Sequence, residues 1–578
     1  MKRCPQCNRV ETDEALKFCR IDGAPLLGDP SAVNREAGTI QLGSTVSGET
    51  EASSGANLNR VTAPTTTLPG QSLPVNTSRV SKSNRKRTAV AIVVILTVVG
   101  AITVAVNSYR SRARAGAIIQ SIAVMPFVNG SGDANVEYLS DGLTDSIIFR
   151  FSQLQNVKVS PTSSVMRFKG SAKDVAEIAK ELDVDAVLTG RLMKAAGDDL
   201  TISVQLIDAR TNKLVWAEQY DRKMADLLAT QREIATTLTQ KMQLRLVGDE
   251  RGITKKYTNS NEAYQLYLKG RYHWSRRTKD DILKAIENYK KAIDLDPNFA
   301  LAYAATAEAY NSMGKNPDVP PKDCIPLAKA AATRALEIDP MLPQAHSALA
   351  DSLALYDWDW AESERHFKKA VELDPNISYT HVAYGAGYLD PIGKPDEAVA
   401  ELERAVSLEP LAMINNCILT TTYIYAREYD KALTQGRSTY DLDPTFPFAP
   451  HWLGFALIAN GKYEEAIAVG RRVSPDSPFG WMSAVVIAQA YANQGKRVEA
   501  EQQISLLREL AKTRYVRPYY IASIYTALGE KDKAFAELEE SFAERDCYLG
   551  RITVDPFMDP LRDDPRFKYL LKRMNLPF

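Results

Sequence analysis

The first residues of the chain that could do chemistry are cysteines near its N-terminus, in the stretch CPQCNRVETDEALKFCRIDG. Cys4 and Cys7 form a CxxC pair, whose two sulfurs can converge on one cation at about 2.3 Å. Eleven residues separate this pair from Cys19, and Asp22 follows Cys19 at the same spacing. Thiolate and carboxylate both bind Zn²⁺, although the harder carboxylate oxygen lowers the affinity. Residues 1–27 are therefore predicted to hold zinc through Cys4, Cys7, Cys19 and Asp22, the alternative being a metal-free remnant.

The segment that must position these ligands is too short to bury a hydrophobic core, so bound metal would have to hold it together. It resembles the short zinc ribbons, and it departs from them at Asp22, where a ribbon has its fourth cysteine. Residues 28–84 are rich in Ser, Thr, Gly and Pro and contain no sustained apolar period. This composition predicts a disordered linker.

A long apolar segment follows the linker. Residues 88–106 read TAVAIVVILTVVGAITVAV and contain no charged side chain. As a helix, this segment would cover roughly 30 Å, the thickness of the hydrocarbon layer of a bilayer. A buried core helix is the alternative, but basic residues at both ends, such as Arg85, Lys86, Arg87 and Arg110, are typical of a membrane span. The sequence therefore predicts one transmembrane helix.

The orientation of this span cannot be taken from charge, because both flanks are similarly basic. Thiolate ligands persist in a reducing compartment, whereas the other cysteines, Cys324, Cys417 and Cys547, are isolated and tolerate either environment. We therefore expect a single-pass protein of the inner (cytoplasmic) membrane, with its N-terminus in the cytoplasm. Everything after residue 110 is then extracytoplasmic, or periplasmic.

Residues 118–246 have the pattern of a small α/β domain. The run SIAVMPF is short, apolar and rich in β-branched residues, as in a buried strand. LTDSIIFRFSQL then has apolar residues at helical spacing, and VKVSP with SAKDVAEIAKELDV repeats the order of strand and helix. AVLTGRLMKA, LTISVQLID and LVWAEQYDR predict three strands joined by hairpin turns, before a closing helix.

The same residues resemble the TolB-like N-terminal domain of bacterial signalling and cell-envelope proteins. The resemblance lies in the phrases AVMPF, LSDGLTD, LTGR and QLIDARTNKLVWAEQYDR, which occur here in the family's order. It implies a compact α/β fold that is commonly preceded by a variable output module and followed by tetratricopeptide (TPR) repeats. It implies no common catalytic role.

From about residue 260 the chain repeats. The small residue in KAIENYKKAIDLDP, Ala285, has equivalents at intervals of 43, 35, 35, 34, 34, 34 and 34 residues. The eight positions are Ala285, Ala328, Ser363, Ala398, Ala432, Ala466, Ala500 and Ala534. A proline twelve residues after six of them predicts a helix end, since proline lacks the amide proton that helix continuation needs. This spacing is the TPR period.

Residues 260–546 therefore resemble a TPR array of about eight repeats, an all-α solenoid whose concave groove is expected to bind a protein or peptide partner. Aromatic residues of the repeats, such as Trp452, are expected in the hairpin cores more often than in the groove. The first, longer interval contains NSMGKNPDVPPKD, which predicts a surface loop. Residues 547–578 predict a C-terminal cap built on a short amphipathic helix. The apolar face of that helix consists of Phe567, Leu570, Leu571 and Met574.

The motifs of common enzyme classes are absent from the sequence. The five histidines lie in the repeats without HExxH or paired ligand spacing, so each is expected on a helix surface or in a hairpin. There is no GxSxG elbow, Walker loop, or HRD or DFG phrase of a kinase. The GSGD stretch at Gly130 to Asp133 lacks the GK[ST] continuation of a phosphate loop. The chain is therefore predicted not to be an enzyme, with zinc as its sole cofactor.

Length and charge agree with a multidomain protein that does not bind nucleic acid. A chain of 578 residues is too long for one core, and its 71 basic residues balance 71 acidic ones, whereas phosphate binding needs a basic excess. The order of the modules predicts a membrane-anchored, non-enzymatic TPR scaffold that binds a protein partner through its repeat array. The alternative is a transmembrane signal transducer, with extracytoplasmic sensing domains and a cytoplasmic zinc-ribbon reporter.

Overall fold

The structure, a computed structural model, describes residues 119–577 and three short strands near the N-terminus. Within 119–577 the gaps fall at 134–135, 153, 155–156, 195–196, 243–254, 277, 317, 475–476 and 478. The chain divides into two compact units, Met1–Val90 and Ala91–Phe578. In the described part of the chain, every helix is too short or too polar to cross a bilayer. The predicted linker, 28–84, and the predicted span, 88–106, lie outside it apart from Gly28.

The N-terminal unit contains a three-stranded antiparallel sheet. Its strands are β1 (Lys2–Arg3), β2 (Val10–Glu11) and β3 (Leu27–Gly28), in the order β2-β1-β3. Lys2 is paired with both Glu11 and Gly28. Strand β1 directly precedes Cys4, β2 follows Cys7 and β3 follows Asp22. The pairing therefore brings together segments that flank three of the four predicted zinc ligands. The four ligand positions themselves lie outside the described residues.

The second unit begins with a mixed sheet in the order β6-β4-β7-β8-β9, in which β5 also pairs with β7. Its strands are β4 (Ser121–Val124), β5 (Val128–Asn129), β6 (Lys158–Val159), β7 (Ala186–Lys194), β8 (Asp199–Asp208) and β9 (Lys213–Lys223). Strands β6, β4 and β7 run parallel, whereas β8 and β9 form the antiparallel meander that the three β-rich runs predict. Alternate residues of β8 are buried, as a strand with one face on the core requires.

In the part of the chain that the structure describes, four α-helices complete the α/β domain. They are α1 (Glu137–Ser152), α2 (Thr162–Met166), α3 (Val175–Leu182) and α4 (Leu227–Lys241). Helix α1 buries Leu143, Ile147 and Phe151, which lie on one face at helical spacing. Asp174 caps α3, since its side chain accepts the amide hydrogen of Glu177 at 2.8 Å.

The rest of the described chain is a solenoid of eight helical hairpins, which confirms the predicted TPR-like architecture. Hairpins 1 to 4 are α5 (Asn261–Ser275) with α6 (Lys279–Leu295), α7 (Ala300–Lys315) with α8 (Ile325–Ile338), α9 (Pro343–Ser352) with α10 (Trp360–Leu373), and α11 (Ser378–Tyr384) with α12 (Pro395–Leu408). Hairpins 5 to 8 are α13 (Met413–Tyr425) with α14 (Tyr429–Leu442), α15 (Ala449–Ala459) with α16 (Tyr463–Gly470), α17 (Gly480–Asn493) with α18 (Arg497–Leu510), and α19 (Pro518–Ala527) with α20 (Lys531–Ala543).

The small repeating residue has the packing role that its spacing predicts. All eight positions, from Ala285 to Ala534, are completely buried, because a larger side chain there would push the helices apart. The turn between the two helices of a hairpin also repeats: Gly461, Gly495 and Gly529 have φ between +71° and +76°. A glycine reaches this left-handed conformation without steric cost, which explains its 34-residue spacing.

The C-terminal segment contains helix α21 (Pro565–Arg573) after two short 3₁₀ helices, Leu549–Thr553 and Pro556–Leu561. Its predicted apolar face is buried, with Phe567, Leu570, Leu571 and Met574 at most 4% exposed. The segment does more than cover the end of the stack. The indole N–H of Trp360, in hairpin 3, donates to the carbonyl oxygen of Met574 at 2.8 Å, so the C-terminus returns to the first half of the solenoid.

Candidate functional site: a cavity inside the solenoid

Hairpins 2 and 8, which are far apart in the sequence, meet at a buried contact that we call the closure contact. It consists of Arg517, Asp546 and the backbone carbonyls of residues 314–316. Arg517 is fully buried, and its guanidinium donates to the Asp546 carboxylate at 2.7 Å. It also donates to the carbonyl oxygens of Lys315 and Asn316 at 3.1 and 3.0 Å. These carbonyls end helix α7, where unsatisfied acceptors and the negative end of the helix dipole attract a cation.

The insertion in hairpin 2 is part of this closure, so the prediction of a simple surface loop is wrong. Asp318 accepts a hydrogen bond from the indole N–H of Trp481 at 2.9 Å, and Trp481 is 1% exposed. Lys322 forms an ion pair with Glu544 at 2.8 Å. The residues inserted in the first, longer repeat interval therefore contact hairpin 7 and the end of hairpin 8 across the groove.

The closed solenoid surrounds a cavity of about 1640 Å³. The first helix of every hairpin contributes to its wall, and the α/β domain contributes Asp145 and Arg150 among others. Exposed residues such as Lys180, Arg404 and Ser407 line its outer part. The predicted concave groove is thus a partly enclosed cavity in this structure, whose outer part reaches the protein surface.

One end of the cavity, at the α/β domain, contains paired charges. Arg271 of α5 lies 3.3 Å from a carboxylate oxygen of Asp145 and 3.5 Å from one of Glu308. Farther along the wall, Lys315 is paired with the completely buried Asp351 at 2.6 Å. The hydroxyl of Tyr379 donates to the same carboxylate at 2.7 Å. Protein carboxylates therefore neutralise both Arg271 and Lys315.

The other end is aromatic and carries one cation, Arg551. Trp452, Tyr520 and Tyr548 come from α15, α19 and the C-terminal segment, and all three line the cavity. The rings of Trp452 and Tyr548 are stacked at 6.2 Å, and those of Tyr520 and Tyr548 are 5.6 Å apart. Trp452, which the sequence predicts in a hairpin core, is 6% exposed and also belongs to this wall.

The histidines lie in the hairpins, which is one of the two predicted locations, and His346, His366, His381 and His451 are buried there. His346 and His381 each contact the carbonyl of the proline six residues earlier, at 2.9 Å. Asn416 donates to the carbonyl of Pro410 in the same way. These side chains satisfy the carbonyl at the end of the preceding helix, which is a structural role.

In the residues that the structure describes, no three potential ligands come together as a metal site would require. Cys324, Cys417 and Cys547 are buried free thiols, and burial raises the pKa of Cys324 to about 11. The predicted zinc ligands are outside this part of the chain. Their donor chemistry, three thiolates and a carboxylate, fits Zn²⁺, and strands β1 to β3 bring the flanking segments together.

Two family models match the chain. The model described as HilA/YgeH-like transcriptional regulator, second domain, matches residues 119–237, and a TPR repeat model matches residues 279–314. The TPR resemblance of the repeat region is therefore confirmed. The α/β domain is matched by the regulator-domain model, and its TolB-like membership stays a prediction.

Two curated relatives are similar to large parts of the chain. Putative adenylate cyclase 3 of Rhizobium meliloti is 31% identical over 241 residues, which are 40% of this chain and 40% of that protein. Transcriptional regulator HilA of Salmonella typhimurium is 24% identical over 403 residues, 66% of this chain and 69% of the regulator. The chain thus spans less than half the length of the cyclase relative.

Solved TPR proteins are also similar. The Pseudomonas aeruginosa pilF protein matches with a TM-score of 0.30 and 19% identity, covering 38% of this chain and 94% of that one. A thermophilic TPR protein of Thermus thermophilus matches with a TM-score of 0.29 and 17% identity, covering 34% of this chain and 99% of that one.

Proposed function

We propose that this chain is a membrane-anchored, non-enzymatic scaffold that binds a protein or peptide partner through its TPR array. The observation that carries the proposal is the solenoid of eight hairpins, a form of protein whose stacked helices offer an extended binding surface. Because the groove is closed by the closure contact, we place the partner at the outer part of the cavity, around Arg404 and Ser407.

The α/β domain and the first hairpin act as one body in this proposal. The hydroxyl of Tyr264 in hairpin 1 lies 2.7 Å from Ser146 and donates to Gln231 at 2.6 Å, all three groups being buried. Leu268 packs against Gly142, where an added Cβ would lie 3.0 Å from its side chain. A buried polar network with close packing favours a fixed arrangement of the two domains.

Photo-crosslinking tests this function. A photoreactive amino acid at Ser407, in the full chain and in cells, is expected to give one reproducible protein adduct, because Ser407 is exposed and lines the outer cavity. Lys568, exposed on α21, is the control position and is expected to give none. Failure to recover a reproducible adduct from Ser407, or the same adducts from both positions, would contradict a partner at this surface.

A second candidate is a signal transducer whose extracytoplasmic domains sense and whose N-terminal zinc ribbon reports in the cytoplasm. The two curated relatives favour it, since one is named a transcriptional regulator and the other a putative adenylate cyclase. Both names belong to regulatory proteins, and in this chain a predicted zinc ribbon and span precede residues 119–237, which the regulator-domain model matches. Cyclase activity is not part of either candidate, because the chain spans 40% of that relative.

The zinc proposal has a direct test. The full chain is expected to contain one zinc ion, and Cys4→Ser should lose it, because a single thiolate is a large part of so small a site. Asp22→Cys should raise the affinity for zinc, measured by competition with a chelator, since thiolate suits zinc better than carboxylate. Substoichiometric zinc in reduced wild-type protein would overturn the proposal. If the chain is a transducer, the Cys4→Ser protein should also fail to complement a deletion strain, whereas a pure scaffold should still complement.

A further inference from the structure

Arg551 differs from the paired arginines Arg271 and Arg517. It lies on the 3₁₀ helix Leu549–Thr553 and is half-buried, with part of its surface on the cavity. Its Nε–H donates to the carbonyl oxygen of Ala386, at a long 3.4 Å. Among the described residues, this is its one hydrogen bond, and no carboxylate lies within ion-pair distance of it.

Guanidinium groups inside a protein are normally paired, because removing an unpaired charge from water costs several kcal/mol. Arg517 has Asp546, and Arg271 has Asp145 and Glu308. Arginine does not lose its proton in proteins, so Arg551 cannot avoid the cost by becoming neutral. Among the described residues no carboxylate forms an ion pair with Arg551, so its positive charge is available to an anion that enters this end of the cavity.

The residues around Arg551 restrict the chemical nature of a ligand that carries the anionic group. The guanidinium lies 4.6 Å from the ring centre of Tyr548, which in turn stacks on Trp452 and contacts Tyr520. Met482, 2% exposed, completes this wall. Aromatic rings and a thioether favour a flat, polarisable, apolar body.

The carboxyl of Asp390, which interacts electrostatically with Arg551, does not oppose an anion strongly. It is completely buried, its Oδ1 has no hydrogen-bond partner, and its Oδ2 accepts from Thr422 at 3.3 Å. Burial raises the pKa of Asp390 to about 7, although Arg551 acts in the opposite direction. At neutral pH a substantial fraction of this carboxyl is therefore uncharged.

We propose that the aromatic end of the cavity is a binding site for a small aromatic carboxylic acid, with its carboxylate on Arg551 and its ring against Trp452, Tyr520 and Tyr548. One guanidinium matches one carboxylate in bidentate geometry, whereas a phosphate group usually recruits several cations. Small-molecule sites occupy about 300–1,000 Å³, and the aromatic end is one part of a cavity whose whole volume is about 1640 Å³. The site is independent of the protein partner proposed above.

A matched pair of probes tests this site by isothermal titration calorimetry on the purified full chain. Indole-3-acetate has the ring and the carboxylate, and indole-3-acetamide has the same shape without the charge. We expect the acetate to bind at least tenfold more tightly than the amide. Arg551→Gln should remove this difference by weakening the acetate alone, and Arg551→Lys should keep part of it, because it preserves the charge but not the bidentate fork.

Lys180→Gln is the control, since Lys180 of the α/β domain also lines the cavity but is exposed. It should change the affinity for the acetate less than twofold. Equal binding of both probes, no binding of the acetate at millimolar concentration, or unchanged acetate binding by a folded Arg551→Gln protein would overturn the proposal. Circular dichroism establishes folding of each variant, and the crosslinking at Ser407 is unaffected by any of these outcomes.

Discussion

Replacing Arg517 with alanine is expected to lower the free energy of unfolding by about 3–5 kcal/mol and to open the solenoid. The substitution leaves the carboxylate of Asp546 buried without its ion-pair partner. It also removes the donor to the carbonyls that end helix α7. Urea denaturation gives the stability, and small-angle X-ray scattering should show a larger radius of gyration, because hairpins 2 and 8 separate.

The control for charge removal is Arg472→Ala, which deletes an exposed arginine of hairpin 6 and should change the stability by less than about 0.5 kcal/mol. The double variant Arg517→Ala with Asp546→Ala should be less unstable than the sum of the single variants, since it removes both members of the pair. An Arg517→Ala protein with wild-type stability and dimensions would show that the closure contact does not hold the solenoid shut.

The repeat architecture could be predicted because its determinants are local. Ala285 and its equivalents, and the glycines of the hairpin turns, act within one repeat or between neighbours, so their spacing alone reveals the hairpins. The closure contact has no such signature. Whether Arg517 meets the carbonyl of Lys315, 202 residues earlier, depends on the rotation accumulated over six hairpins, to which every interface contributes.

The candidate site was hidden for the same reason. Arg551 lies in the C-terminal segment, and nothing near it in the sequence indicates that it contacts Ala386 or that its neighbour Tyr548 stacks on Trp452. The structural role of two of the buried histidines, by contrast, is indicated by the sequence. In three consecutive repeats a polar side chain follows the helix-ending proline by six residues: Pro340 and His346, Pro375 and His381, Pro410 and Asn416. A regular spacing of this kind indicates a shared structural role more than a set of surface residues.

The paired histidines of hairpin 3 are expected to destabilise the protein in acid. The carbonyl of Pro340 can only accept, so Nε2–H of His346 donates to it and Nδ1 of His346 is bare. Nδ1–H of His366 then donates to that nitrogen at 2.8 Å, and Nε2 of His366 accepts from Arg365 at 2.9 Å. Both rings are therefore neutral, and protonation of either would place two N–H groups face to face.

Burial, with Arg365 and His346 nearby, lowers the pKa of His366 to about 4. The pKa of His346 is also lowered, mainly by burial. Because an unfolded histidine titrates near 6.5, the unfolded chain takes up protons first as the pH falls, and stability is lost between about pH 6.5 and 4. For His366 alone this amounts to about 2–3 kcal/mol between pH 7.5 and 4.5.

The measurement is the difference in unfolding free energy between wild type and His366→Gln, by urea denaturation at pH 7.5 and 4.5. A difference is needed because Asp390 and Asp555, whose pKa values burial raises to about 7 and 6, favour the folded state as the pH falls. Between pH 7.5 and pH 4.5, the unfolding free energy of His366→Gln should rise by about 2–3 kcal/mol relative to that of the wild type. Asn416→Ala, at the position equivalent to His346 two repeats later, removes a group that cannot titrate, so its cost should be the same at both pH values. If His366→Gln, like Asn416→Ala, lowered the unfolding free energy by the same amount at both pH values, the imidazole pair would be charged, or open to water, in the folded protein.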